Sequence, residues 1–123
     1  MIPKHISEFL RSAVKSTWAL DVLRLLKKSP DRAWSVPALI AELRGSTKMV
    51  EDILAGFHRW GLAAEDDDGY WRYVSDNALD ATIADLMAFY AERPVAVIAE
   101  IALSPNEKLY TFIDAFRVTK DKD

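Results

Sequence analysis

The sequence predicts a mainly α-helical protein with one small β-hairpin. Over most of the chain, apolar residues recur every three or four positions, which is the period of an amphipathic α-helix. Residues 63–74 differ, because they combine strand-forming side chains with an Asp-Gly turn, the pattern of a hairpin. These two observations set the fold class, and the elements follow in chain order.

Length and composition restrict the classes of protein. The chain has 123 residues, half of them hydrophobic, enough for one domain with a helical extension. It has 16 basic and 19 acidic residues, a net charge of −3, which does not favour nucleic-acid binding by bulk charge alone. Cysteine is absent, which excludes disulfides and thiolate zinc sites. No signal peptide or membrane-spanning stretch is recognisable, so we expect a cytoplasmic protein that does not insert into membranes.

Two helices are predicted before residue 30. The first has an apolar face, and the second is capped by Ser16 or Thr17 and ends near Lys28, because Pro30 disfavours helical geometry before it. The faces consist of Ile6, Phe9, Leu10, Ala13 and Val14 in the first helix, and Trp18, Val22, Leu25 and Leu26 in the second. Residues 1–34 carry seven basic and three acidic residues, so the positive charge is concentrated here.

Residues 35–62 predict two further helices joined by a tight turn. Ser35 caps the first, with Pro37 in its first turn, and Gly45 closes it. Ser46 caps the second, which ends at Gly61. We expect the apolar side of this second helix to be buried, and it comprises Met49, Val50, Ile53, Leu54, Phe57 and Trp60. The opposite, polar side comprises Lys48, Glu51, Asp52, Ala55 and Arg59.

The predicted hairpin follows directly. Its strands flank Asp66–Gly69, where Gly69 tolerates a positive φ. Residues 33–35 are a candidate for a short strand that pairs with this hairpin. After it, Asp76 or Asn77 caps a helix that ends before Pro94, Pro94 opens another, and Ser104–Glu107 forms a capping box for a last helix. The apolar face of the last helix consists of Leu109, Phe112, Ile113 and Phe116.

The order helix, short strand, helix, turn, helix and hairpin resembles winged helix-turn-helix proteins, in particular MarR-like bacterial transcriptional regulators. The resemblance covers residues 18–74 and consists of apolar positions, which indicate a fold more specifically than a function. We therefore expect a winged-helix domain over residues 1–74 and a C-terminal helical extension over residues 75–123. The extension either packs on the first domain or dimerises, and the two alternatives are equally supported.

The resemblance implies a DNA-binding surface. In such regulators the second helix of the motif lies in the major groove and the wing contacts the backbone or the minor groove. Carried over by position, the residues expected to bind duplex DNA are Arg44, Ser46, Thr47, Lys48, Arg59 and Arg72. Glu51, Asp52 and Ala55 would face the bases too. The acidic residues Glu51, Asp52 and Asp66–Asp68 oppose phosphate binding, although a carboxylate can accept a hydrogen bond from cytosine.

Other interpretations of the same residues remain open. Lys48 and Asp52 have the i, i+4 spacing of a surface salt bridge, and Asp66–Asp68 suit a solvated turn. The histidines, His5 and His58, lie far apart without a ligand cluster, which favours surface roles over a metal site. The sequence contains no cysteine nucleophile, no Gly-rich phosphate loop and no H-E-x-x-H motif, so we expect no enzyme and no cofactor. The alternative to a dimeric DNA-binding regulator is a protein-interaction module in which the acidic helix and wing bind a basic partner.

Overall fold

The computed structural model describes residues 2–102. It is mainly helical, with one two-stranded antiparallel sheet, as predicted. The last predicted helix, over residues 105–116, lies outside the described residues. The elements are α1 (Lys4–Ala13), α2 (Thr17–Lys28), α3 (Val36–Leu43), α4 (Thr47–Trp60), β1 (Ala63–Glu65), β2 (Trp71–Tyr73), α5 (Asn77–Glu92) and α6 (Pro94–Ala102).

A serine caps the N-terminus of each of the helices α2, α3 and α4. The side chains of Ser16, Ser35 and Ser46 each accept a hydrogen bond from the amide three residues later, at 3.1 Å. Each cap satisfies an amide that the helix itself leaves without a partner. The N-caps were all predicted from the sequence, Ser16 as one of two candidates.

The end of α3 differs from the prediction. Arg44, rather than Gly45, adopts the left-handed conformation, with φ 61° and ψ 28°, and its amide donates to the carbonyl oxygen of Ile40. Gly45 follows it and packs closely, because a Cβ there would lie 2.5 Å from the end of the Met49 side chain and 3.8 Å from Trp18. A larger residue at position 45 would therefore displace the end of the flexible Met49 side chain, and the left-handed conformation falls on Arg44, which is not a glycine.

A continuous apolar core fixes α4. Val50, Leu54 and Phe57 on its inner side are at most 1% exposed and pack against α2 and α3. Ile53 and Met49 are partly buried at the margin. Trp60 was predicted to be buried with them but is 45% exposed. It lies at the edge of the apolar sector, about 80° from Val50 on the helix, which leaves its ring partly open to solvent.

The hairpin has the predicted position and turn. Ala63 pairs with Tyr73 and Glu65 with Trp71. Asp66 holds the turn, because its Oδ1 accepts hydrogen bonds from the amides of Asp68 and Tyr70 at 2.9 Å; Gly69 has the required positive φ, 84°.

Residue 34 pairs with the second strand of the hairpin. The backbone of Trp34 exchanges two 2.7 Å hydrogen bonds with that of Trp71, which confirms the short strand expected at residues 33–35 as a single antiparallel bridge. The helices α2, α3 and α4 with this hairpin form a winged helix-turn-helix.

The C-terminal helices pack on α1. Contacts join α1 with both α5 and α6, and the inward side chains Ile83, Leu86, Val97 and Ile101 are fully buried. On the surface of this junction, Arg11 forms an ion pair with Glu100 at 3.3 Å. Within residues 2–102, no helix combines the length and the apolar character needed to cross a membrane.

Candidate nucleic-acid interface

The outer side of α4 borders an open groove. The ends of α1 and α2 form its other wall, and its volume is about 790 Å³. We call it the α4 groove. Its charged lining consists of Lys15, Lys48, Asp52 and Arg59, and its apolar lining includes Met49, Ile53 and Trp60. The groove therefore places three cations and one carboxylate around an apolar floor.

The predicted DNA-binding residues occupy exposed positions. Ser46 and Thr47 begin α4, and Arg44 stands just before them at the end of α3. Lys48 and Arg59 lie on the same side of α4, as the spacing predicted, and both line the α4 groove. Arg72 stands apart from them in the middle of β2, opposite Ala64 and facing solvent.

The beginning of α4 is electrostatically suited to an anion. Its first turn contains no acidic residue. The Ser46 side chain occupies the Met49 amide, and its backbone oxygen accepts from the Val50 amide. The amides of Thr47 and Lys48 lie before the first intrahelical bonds, at the positive end of the helix dipole. Such a terminus favours a phosphate or a carboxylate.

The acidic residues differ in what they do. Asp52 forms an ion pair with Lys48 at 3.4 Å, with side chains 67% and 87% exposed. This is the i, i+4 salt bridge that the sequence offered as one alternative. Asp66 is engaged by the turn amides. Asp67 and Asp68 are exposed at the wing tip, and Glu51 is exposed on α4. The carboxylate nearest the groove cations is therefore already paired with one of them.

Two features of the groove were not apparent in the sequence. Lys15 lies in the turn between α1 and α2, and only the packing of that turn beside α4 brings it near Lys48 and Arg59. The second feature is the exposure of Trp60, at 45%, where helical periodicity predicted burial. Trp18, which does not line the groove, is also more exposed than predicted, at 38%. The position of Lys15, one residue before the Ser16 cap, already placed it in the turn between α1 and α2. The sequence does not specify which element that turn packs against.

A separate polar cluster joins the wing to the helices. We call Lys27, Tyr73 and Asp80 the polar clip. One oxygen of Asp80 accepts hydrogen bonds from the Lys27 ammonium and the Tyr73 hydroxyl, each at 2.7 Å. The hydrogen bond from Lys27 lowers the pKa of Asp80, with help from Tyr73. Burial raises the pKa of Tyr73 to about 12, and the hydrogen bond to Asp80 adds to this. The charged groups of the clip are therefore paired with each other inside the protein.

The two histidines have separate surface roles. His5 contacts Asp85 at 3.0 Å on the α1–α5 surface. His58 contacts the carbonyl oxygen of Ala63 at 3.1 Å through Nδ1, and its ring lies edge-on to Trp71. In the part of the chain that the structure describes, residues 2–102, no group of three or more His, Cys, Asp or Glu is placed to bind a metal ion.

Comparison with known proteins leaves the family open. No protein-family model matches the chain, and no curated protein matches it. Among solved structures it is similar to a "possible transcriptional regulator" from Methanosarcina mazei Go1, with 18% sequence identity and a TM-score of 0.49. The match covers 76% of this chain and 84% of that one. At this identity and TM-score the similarity is too distant to support a conclusion about function.

Proposed function

We propose that this protein binds double-stranded DNA through α4 and the wing, as a transcriptional regulator does. The observation that carries the proposal is the convergence of Lys15, Lys48 and Arg59 on one groove beside α4. The basic residues come from two separate parts of the chain, and α4 begins with an exposed, acid-free first turn. Cations beside an exposed helix are the electrostatic feature that duplex binding requires.

Each group has a role in this proposal. Lys15, Arg44, Arg59 and Arg72 neutralise phosphates, and the amides at the start of α4 bind another phosphate. Ser46, Thr47 and Lys48 face the base edges in the major groove. The Ser46 hydroxyl accepts the cap bond from Met49 and still has its own hydrogen to donate.

A second candidate function is protein binding by the same surface. Two observations favour it. The exposed Trp60 ring lies on the groove beside Met49 and Ile53, and aromatic rings are enriched in protein interfaces. The salt bridge from Asp52 to Lys48 and the acidic wing tip also reduce the attraction for phosphate. In this alternative, a partner with a basic rim and an apolar centre covers the groove.

Duplex binding measured against salt concentration distinguishes the two candidates. Fluorescence anisotropy of a labelled random-sequence duplex gives the dissociation constant from low to physiological salt. We expect an affinity whose logarithm falls linearly with the logarithm of salt concentration. Arg59→Ala reduces the slope by about 1, because it removes one phosphate contact, and Lys48→Ala weakens binding through the loss of a base contact.

The matched control is Lys28→Ala. Lys28 is an exposed lysine at the end of α2, on a surface formed with α5. The control changes the net charge by the same amount as Lys48→Ala but should leave the slope unchanged. Equal slopes for all variants, or no binding at low salt, would refute DNA binding and leave the protein-binding candidate. The homodimer, the cytoplasmic location, the MarR-like assignment and the division at residue 74 stay predictions.

A further inference from the structure

Helix α6 presents apolar side chains on two sides. Val97 and Ile101 on one side are fully buried against the rest of the protein. On the other side, Val95 is 77% and Ile98 41% exposed, and Ala102 continues the same face at i+7. Glu100 is the helix's one charged residue, and it is engaged by Ser7 and Arg11 of α1. A helix that is apolar all round is typical of one covered on both sides.

The chain itself supplies a cover of matching character. Residues 105–116 follow α6 after two residues, Leu103 and Ser104. Their sequence predicts an amphipathic helix that starts with a capping box and has one apolar face, formed by Leu109, Phe112, Ile113 and Phe116. Helices joined by so short a connection pack as antiparallel neighbours.

We propose that residues 105–116 fold back along α6 and cover Val95 and Ile98. Both helices rise 1.5 Å per residue, so residues equally distant from the midpoint of the connection lie opposite each other. Leu109 and Ile98 are each about 8 Å from that midpoint, and Phe112 and Val95 are each about 13 Å from it. The register of the connection therefore places large apolar residues of the tail on the two exposed residues of α6.

The size of the exposed face favours the tail over a second copy of the protein. A nine-residue helix is about 14 Å long and 10 Å wide, so its outer face offers on the order of 140 Å². A stable dimer buries about 800 Å² on each partner. The face of α6 is thus too small to form a dimer interface by itself, but its length suits one short helix of the same chain. This proposal does not depend on the proposed DNA binding.

Site-directed crosslinking tests the register, because the natural chain has no cysteine. Val95→Cys is combined with Phe112→Cys in the full chain, and Ile98→Cys with Leu109→Cys forms a second test pair. A bismaleimide that spans about 8 Å, the separation of packed helix axes, joins the two thiols. Intact mass and gel mobility then distinguish a crosslink within one chain from a crosslink between two.

The control pair is Gly56→Cys with Phe112→Cys. Gly56 lies on the α4 groove, which is partly apolar, and a side chain there would meet only the end of Arg59 at 3.7 Å. We expect both test pairs to give an intrachain crosslink about tenfold faster than the control, since proximity raises the effective concentration of the second thiol.

Three results would overturn the proposal. A crosslink mainly between chains would show that a second copy covers α6. A crosslink in the control pair as fast as in the test pairs would place the tail at the α4 groove or show that it has no fixed position. No crosslink in either test pair would show that the tail lies elsewhere. Thermal unfolding of each double variant, compared with the natural protein, shows whether the fold is kept.

Discussion

The inner and outer faces of α4 belong to one helix but differ in burial and in charge. The inner face, Val50, Leu54 and Phe57, is buried and has no polar side chain. The outer face carries Lys48, Asp52, Arg59 and the exposed edge of Trp60 beside an open groove. The inner face stabilises the fold, whereas the outer face contributes little to it. Stability and partner binding are therefore separable on this helix, and substitutions can test that separation.

Within α4, the largest effect is expected on the inner face. Leu54→Ala removes a side chain that is 0% exposed, and the cavity it leaves should lower the free energy of unfolding by about 3 kcal/mol. Urea unfolding followed by circular dichroism measures this. Ala55→Ser is the matched control, because Ala55 is the next residue of the same helix and its side chain is exposed. A loss below 1 kcal/mol for Leu54→Ala would mean that the inner face does not anchor α4.

The polar clip contrasts with the outer face of α4, because its polar groups find partners within the fold. Tyr73→Phe removes the 2.7 Å hydrogen bond to Asp80 and should cost about 1 kcal/mol near neutral pH. The measurement is again urea unfolding.

The effect of Tyr73→Phe on stability should depend on pH. The Tyr73 pKa rises from 10.0 to about 12 on folding, so its contribution is complete below pH 10 and is lost as the pH rises towards 12. The stability difference between the natural protein and Tyr73→Phe should therefore narrow over that range. The lowered pKa of Asp80 has the opposite effect on the pH dependence. The stability that ionised Asp80 contributes is present above pH 3.8 and disappears as the pH falls below it. A constant difference between pH 9 and pH 12 would contradict the first assignment.

Two tryptophans sharpen the comparison further. Trp60→Ala on the outer face should change the free energy of unfolding by no more than about 0.5 kcal/mol. Trp34→Ala should cost about 3 kcal/mol, because Trp34 is 3% exposed and packed in the core. Thermal and urea unfolding of both variants check this. Comparable losses for the two would show that Trp60 is part of the core after all.

The smallest change in stability is expected for Asp52→Asn. It breaks the exposed pair with Lys48, which is worth about 0.3 kcal/mol. If the outer face binds DNA, the same variant should raise the affinity about fivefold at low salt, since it frees Lys48 and removes a negative charge. Glu92→Gln, an exposed acid at the end of α5, is the control with the same charge change. Unchanged or weaker duplex binding by Asp52→Asn would favour the protein-binding candidate.

Local rules explain how much of this fold could be predicted. The Ser35 and Ser46 caps, the end of α4 at Gly61 and the turn at Asp66–Gly69 depend on interactions within a few residues. The left-handed conformation at Arg44 was not predicted, because glycine adopts that conformation most readily and Gly45 lies only one residue further on. Of the candidate site, the shared side of Lys48 and Arg59 followed from helical spacing, but the contribution of Lys15 did not.

By itself, the sequence determined the helices, their serine caps, the wing and the inner face of α4, because hydrophobic period and turn chemistry act over short distances. Only the tertiary structure decided that Trp60 and Trp18 remain exposed, that Lys15 joins the groove and that Lys27, Tyr73 and Asp80 meet. These arrangements join residues that are distant in sequence. Such contacts depend on how whole elements pack, and a local pattern of residues does not encode them.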